Sequence, residues 1–404
     1  MIELPQIETQ KIAIKLKPNA EVLVKKGHPW VFDESITKQN IEGKAGDLVI
    51  IFDNRKNKFM AAGLYDPNSP IRIKILQANQ PFTFNKAWLK ERIEAAYKKR
   101  LPLLATETNS YRLLYGENDG LPSLIADVYD NVLVVKLYSQ IWLPYLNDIF
   151  PTLLEISKTK TLVLRMSRNV QKEGNQYNLK DGQIVHGELE NEVIIFTEHG
   201  VKFSANVIYG HKTGYFLDHR NNRKRVGELA KNKTVLDVFS YAGGFSVHAL
   251  AGGAKEVTSL DISAPALKIA EENAQLNPHT GKHLTIVGDA FDELEELAYQ
   301  DKKFDIVVID PPSFAKSKLE VEGAIKSYRK LAILGLKLVN KGGTLVLASC
   351  SSRVSSDDFF ELIETTLQTE NANYKVLEKT LHDIDHPIGF KEGAYLKCIY
   401  IQIK

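Results

Sequence analysis

Two short strings hold the residues best suited to covalent chemistry on a nucleobase. Asp310-Pro311-Pro312-Ser313-Phe314 follows the run Ile306-Val307-Val308-Ile309, and Ser349-Cys350-Ser351 follows Leu345-Val346-Leu347. Both apolar, β-branched runs read as strands that end at a reactive group. In an open parallel sheet the ligand crevice lies outside the carboxyl ends of the strands, so a carboxylate and a thiol delivered there can face one pocket. A buried structural thiol is the plain alternative for any single cysteine, and its seat beside the Asp-Pro-Pro strand favours the nucleophile. The other cysteine, Cys398, lies in the apolar string Leu396-Lys397-Cys398-Ile399-Tyr400-Ile401 and reads as core.

A second set of groups suits a nucleoside ligand. Val235-Leu236-Asp237-Val238 runs into Phe239-Ser240-Tyr241-Ala242-Gly243-Gly244-Phe245, a small-residue loop whose N–H groups can approach a ligand closely. It does not fit G-x-G-x-x-G, so a dinucleotide is not indicated. The next strand ends at Asp261, where a carboxylate can accept from both ribose hydroxyls, and Asp289 closes the third, where it can receive an exocyclic adenine amine. Taken singly, each Asp could be a helix N-cap. Three at successive strand ends point to an adenosyl ligand across the sheet.

The elements that must position these groups alternate from Glu192 onward. Strands at 235–238, 257–260, 284–287, 306–309 and 345–347 are separated by helical patterns at 246–250, 264–276, 291–297 and 324–338, which predicts a doubly wound parallel sheet. Upstream, residues 11–76 alternate as β-strands with Gly43, Gly46 and Asn54 as turn residues. Asn85 to Leu104 has helical spacing, Val132 to Leu137 is strand-like, and the polar stretch Lys172 to Gly182 reads as a mobile loop. The expected division is a β-rich domain at 1–77, an α+β domain at 78–190 and the doubly wound domain at 191–404.

The chain has 404 residues with 52 basic and 50 acidic side chains, net +2, which excludes a polycation and makes any nucleic-acid contact regional. The first domain carries about +3, and Lys25-Lys26-Gly27-His28-Pro29-Trp30 sets cations beside an aromatic that could meet a base, or could simply be core. Lys202, Lys212, Arg220, Arg223, Lys224 and Arg225 against Asp218 give +5, a density able to hold phosphates; Arg220 could instead pair with a ligand carboxylate. Phe314 could stack on a flipped-out base or serve as an apolar lid. Two cysteines and no His/Cys cluster of zinc spacing predict a reducing, cytoplasmic setting and no metal site. The N-terminus lacks a signal-peptide core, and no membrane partner is expected.

The order Asp237…Gly243, Asp261, Asp289 and Asp310-Pro311-Pro312 resembles class I S-adenosylmethionine-dependent methyltransferases. With Lys212-Thr213-Gly214-Tyr215-Phe216-Leu217-Asp218-His219-Arg220, Ser-Cys-Ser, and Asp385-His386-Pro387…Glu392-Gly393-Ala394-Tyr395-Leu396-Lys397, nearly the whole chain is similar to the ribosomal large-subunit RNA methyltransferase I family. That resemblance implies an N-terminal PUA domain, for which Gly27-His28-Pro29-Trp30-Val31-Phe32 is the matching string. It also implies a middle α+β domain, S-adenosyl-L-methionine held by Asp237, Ser240, Gly243, Asp261, Asp289, Asp310 and Arg220, and large-subunit ribosomal RNA as partner. A homodimer stays open.

The implied product is 5-methylcytosine. Cytosine C5 is too weak a nucleophile to take a methyl group unaided; a Cys350 thiolate adding to C6 makes it enamine-like, with Asp310 hydrogen-bonding or protonating N3. Many cytosine-C5 families carry a second cysteine beside the Asp-Pro-Pro string, where Ser313 and Phe314 stand here. Lys25, Lys26, Trp30, Lys212, Arg223 and Phe314 are the expected RNA contacts. The rival readings are a guanine-nitrogen RNA methyltransferase, which needs no thiol, and a non-catalytic RNA-binding assembly factor.

Overall fold

The computed structural model describes residues 2–404 and divides into two compact units. One holds the chain up to Thr197 together with Ala205–Leu217 and Ile384–Phe390; the other holds Glu198–Ser204, Asp218–Asp383 and Lys391–Lys404.

The first unit contains two sheets. Alternation in Lys11–Leu16 sends Ile12, Ile14 and Leu16 into a core with Val49, Ile51 and Ile73, and the six-stranded sheet runs Trp30–Phe32, Ile71–Ala78, Phe59–Tyr65, Leu48–Phe52, Lys11–Leu16, Ile36–Gln39. Between the first two strands in sequence lies a helix, Pro18–Lys25, that the β reading of residues 11–76 passed over. Two turns are too short for a clear helical period, and the usable signal was Pro18 at the first helical position.

The second sheet has five strands in the order Gln183–His186, Thr161–Met166, Val132–Leu137, Leu124–Tyr129, Ser110–Tyr115. The expected helix spans Lys86–Leu104, with the Asn85 side chain accepting from Trp88 N at 3.0 Å as N-cap. The stretch Lys172 to Gly182 departs from a plain loop: it finishes the helix Arg168–Gly174 and continues in a short 3-10 turn. Buried Leu179 and the Asp181 carboxylate, which accepts from Met166 N and Arg165 Nε, tie it to the neighbouring strand.

The second unit is a seven-stranded sheet in the order Lys282–Val287, Glu256–Asp261, Thr234–Val238, Phe304–Ile309, Val339–Ser349, Lys397–Ile403, Tyr374–Thr380. The first five are mutually parallel and Lys397–Ile403 is antiparallel to its neighbours. Strand order reverses beside Thr234–Val238, the switch point at which such sheets bind ligands. Apolar runs buried on both faces, such as Val307, Val308, Leu345 and Val346, fit a sheet covered by helices. Among the described residues, no helix is long and apolar enough to cross a membrane.

Candidate active site

The loop after Thr234–Val238 is held in an uncommon backbone conformation. Phe239 and Tyr241 have positive φ (62° and 48°), as does Gly243 (76°), where a Cβ would come within 2.7 Å of the Ala270 Cβ. Three hydrogen bonds keep it there: Ser240 N to Leu260 O at 3.0 Å, Tyr241 N to Asp261 Oδ2 at 2.9 Å, and Ser246 N to Asp237 Oδ2 at 3.0 Å. Strained backbone at a strand end is a frequent mark of a ligand site.

Two buried polar atoms in this loop, Asp237 Oδ1 and Ser240 Oγ, have no hydrogen-bond partner among the described residues. An unpaired buried acceptor costs about 1–3 kcal/mol, so groups left this way suit a ligand that supplies donors. Burial pushes the Asp237 carboxyl up to about 7; Ser246 opposes this and the charges of Asp310 and Asp261 add to it. Next to it, Asp261 accepts from the N–H groups of Tyr241 and Ser263, while Ile262 and Val287 leave apolar side chains 72% and 55% exposed. Such side chains could cover the faces of a purine. Asp289 is exposed and caps its helix, accepting from Phe291 N at 2.9 Å and Asp292 N at 3.4 Å. The N-cap reading of Asp289 therefore holds, without removing its second oxygen from use.

The Phe304–Ile309 and Val339–Ser349 strands are parallel neighbours, and they bring their terminal residues together. Cys350 Sγ lies 3.8 Å from Asp310 Oδ1 and 3.6 Å from His219 Nε2, with His219 Nε2 in turn 3.3 Å from Asp310 Oδ1. His219 is 4% exposed, its ring packed edgewise on Phe245 at 5.5 Å. Burial, then the charges of Asp310 and Asp218, raise the Cys350 thiol well above its ordinary value, with Lys397 opposing, so the resting group is a thiol. For His219, burial works against the charged form, but the Asp310 carboxylate more than offsets it and the ring stands above the ordinary histidine value.

Lys397 secures the loop that follows Cys350. Its Nζ is buried and donates to the carbonyls of Ser351, Val354 (2.6 Å) and Tyr395 (3.0 Å). Burial brings this ammonium down to about 8. Tyr328, whose hydroxyl accepts from Ser349 Oγ at 2.8 Å, supports the strand from the other side, and Phe314 packs edgewise on Tyr328 at 5.2 Å. Phe314 is thus half-buried and packed against the core of this unit.

Two arginines expected at ligands are committed elsewhere. Arg223 is 4% exposed and grips Glu198 through Nε–Oε1 at 2.7 Å and Nη2–Oε2 at 2.6 Å, so it is unavailable to RNA phosphates. Burial alone would raise Glu198, but Arg223 and then His248, at 2.9 Å, hold it far below the usual carboxylate range. Arg220 is buried with Nη1 3.2 Å from Asp383 Oδ2, which places it against a carboxylate of the chain itself. Both had been counted in a basic patch because sequence shows the charge and not the distant partner.

In the first unit, Lys25, Lys26 and Lys212 are exposed. Trp30 is half-buried, its Nε1 donating to Glu117 Oε1 at 3.0 Å and its ring edgewise on Phe390 at 5.0 Å. Trp30 therefore falls between the two readings made of it. Of the residues that sequence reasoning missed, His219 matters most; its string had been noted for resemblance alone, and nothing in the spacing connects it to Cys350.

A family model described as S-adenosylmethionine-dependent methyltransferase matches residues 112–395, and one described as a PUA-like domain matches residues 14–78. The chain is 40% identical over 99% of its length to a ribosomal RNA large subunit methyltransferase of Deinococcus radiodurans, covering 99% of that protein. It is 35% identical to the ribosomal RNA large subunit methyltransferase I of Vibrio campbellii, with 95% of this chain and 98% of that protein covered. Among solved structures, a SAM-dependent methyltransferase from Streptococcus mutans superposes with a TM-score of 0.80 at 20% identity over 96% of this chain and 99% of that one, a likeness of fold. The strand order, the loop with unpaired acceptors and these matches lead to one conclusion: the chain belongs to the ribosomal RNA large subunit methyltransferase I family and is an S-adenosylmethionine-dependent methyltransferase with a PUA-like domain.

Proposed function

We propose that the chain methylates C5 of a cytosine in large-subunit ribosomal RNA through a covalent adduct with Cys350. The observation that carries the reading is the Cys350 thiol within 3.8 Å of the Asp310 carboxylate at the mouth of the sheet. A guanine-nitrogen methyltransferase would have no use for that thiol. The names of the relatives supply the RNA class, and the intact carboxylate and thiol argue against a purely structural assembly factor.

Asp237, Ser240, Gly243, Asp261 and Asp289 would hold S-adenosyl-L-methionine, which supplies an electrophilic methyl group when bound. Asp237 Oδ1 and Ser240 Oγ, unpaired among the described residues, would take its donors, and Asp261 would take the ribose hydroxyls. Cys350 adds to C6 of the cytosine, electron density moves onto N3, and Asp310 gives N3 a proton or hydrogen bond, leaving C5 nucleophilic. After transfer a base takes the C5 proton, the C–H electron pair reforms C5=C6 and expels the Cys350 thiolate, and the N3 proton returns to sulfur by way of Asp310.

In this reading residues 1–77 and 78–190 serve RNA recognition and residues 191–404 the chemistry. The exposure of Lys25, Lys26 and Lys212 supports a role for them in meeting phosphates. The test is methyl transfer from labelled cofactor to unmodified large-subunit RNA, followed by digestion to nucleosides, for wild type and Cys350→Ala. Label in 5-methylcytidine that disappears in the variant is expected; label in a guanosine, or transfer indifferent to Cys350, refutes the proposal.

A further inference from the structure

We infer that His219 is a third catalytic group, whose Nε2–H donates to the Cys350 sulfur while Asp310 takes the thiol proton, and that Asn222 is the positioning residue that aims the ring. The inference rests on the cysteine-dependent reading above and adds to it the route by which a protonated thiol becomes a nucleophile.

The geometry of the ring carries the argument. Asn222 Nδ2 meets His219 Nδ1 at 3.0 Å. The amide is oriented by its other end, because Asn222 Oδ1 accepts from Thr380 Oγ1 at 2.7 Å and from the Tyr400 hydroxyl at 3.2 Å. With Oδ1 accepting from Thr380 and sharing the Tyr400 proton with the Asn222 carbonyl (3.1 Å), the NH2 end faces the ring and donates to Nδ1. The neutral ring then carries its proton on Nε2, the nitrogen that lies 3.6 Å from Cys350 Sγ and 3.3 Å from Asp310 Oδ1, and the charged ring that Asp310 favours carries one there too. A histidine whose Nε2 is protonated cannot accept the thiol proton there. It can donate to sulfur as negative charge develops, and such a charge-assisted bond is roughly twice as strong as a neutral one.

Among the described residues, Asp310 is the carboxylate recorded within hydrogen-bond range of the thiol, at 3.8 Å. As Sγ closes on C6, the S–H bond breaks and an O–H bond forms on Asp310; the electron pair displaced from C5=C6 ends on N3, which takes that proton and restores the carboxylate. Atoms and charge balance without a further reactant. The charged groups around His219 are Asp310, Asp218 and Arg223, and those around the thiol are Asp310, Asp218 and Lys397.

Thiol reactivity tests this separately from methylation. The full chain, without RNA or cofactor, is alkylated with iodoacetamide from pH 6 to 10, and modification of the Cys350 peptide is followed by mass spectrometry. His219→Phe removes the donor and keeps a ring; alkylation of Cys350 is expected to slow about tenfold at neutral pH and its profile to move up by about one unit. His219→Gln, whose amide can donate, is expected to recover most of the rate. Asn222→Leu, which leaves His219 in place but unaimed, is expected to slow it by about threefold. Native affinity for S-adenosylhomocysteine marks each variant as folded, and Asn222→Leu carries the test if His219→Phe fails that requirement.

A wild-type profile in His219→Phe or Asn222→Leu, or a loss in His219→Gln equal to that in His219→Phe, overturns the inference. Normal 5-methylcytidine formation with alkylation indifferent to His219 would sink this inference alone. His219-dependent alkylation with no 5-methylcytidine would sink the cytosine reading alone.

Discussion

Asp237→Asn should improve the stability of the cofactor-free protein while weakening the cofactor. The carboxyl is buried with Oδ1 unpaired and stands at about 7 against an ordinary value of 3.8. A carboxyl raised in the folded state loses stability as pH climbs from its unfolded value to its folded one, and the full loss is present above about pH 7. Three units at about 1.4 kcal/mol each set an upper bound of about 4 kcal/mol. Asparagine avoids that charge and keeps an oxygen for Ser246, so at pH 8 the variant without cofactor should unfold up to about 10 °C higher in a thermal scan.

A cofactor donor that requires the carboxylate sees only its ionised fraction. Relative to high pH, wild-type affinity for S-adenosylhomocysteine should fall about tenfold by pH 6, and hardly at all at pH 8. In Asp237→Asn the affinity should be weaker at pH 8 and flat across this range. Calorimetric titration at pH 6, 7 and 8 reads both. Affinity independent of pH in the wild type, the same slope in the variant, or a variant less stable than wild type without cofactor would each refute the reasoning.

Arg223→Met should leave Glu198 buried without its main partner, at a cost of about 3–5 kcal/mol, and lower the thermal midpoint by roughly 6–20 °C. RNA affinity measured well below that midpoint should be unchanged, and a selective loss of RNA affinity at full stability would return Arg223 to phosphate binding. Lys397→Met should expose the Cys350–Val354 backbone to faster hydrogen exchange, because the Ser351 and Val354 carbonyls lose their donor. The ammonium is held down to about 8 from 10.5, so its burial disfavours folding below pH 8 and that penalty fades as pH rises to 10.5. Wild type should therefore gain about 3 kcal/mol over this range relative to the variant, measured by denaturant unfolding at pH 8 and 10.5.

The parts of the fold written in local pattern were legible in the sequence. Asn85 before a helical period, and Val307 and Leu345 in runs ending at Asp310 and Cys350, each carry their signal within a few residues. The helix Pro18–Lys25 was hidden inside β-like alternation, too short to show a period. What local pattern cannot hold is the partner of a charge. Arg223 looked like surface because Glu198, 25 positions upstream, is invisible as its mate, and His219 looked inert because Cys350 lies 131 positions away. The meeting of Cys350 with Asp310 was reachable because strand ends of a parallel sheet converge by topology, whatever their separation.

The first unit takes back the segment Ile384–Phe390 after the chain has run through most of the second. Arg112 N donates to Asp385 Oδ2 at 2.9 Å, and Arg100, fully buried with Asp119, also donates to the Asp385 carbonyl at 3.2 Å. During synthesis the sheets of this unit can leave the ribosome complete, while the partner that finishes their polar interior is still untranslated. At about 5–20 residues per second that interval lasts roughly 10–40 s. The N-terminal half of the nascent chain thus waits with Arg100 short of one acceptor, and this step of its folding is timed by translation of Ile384–Phe390.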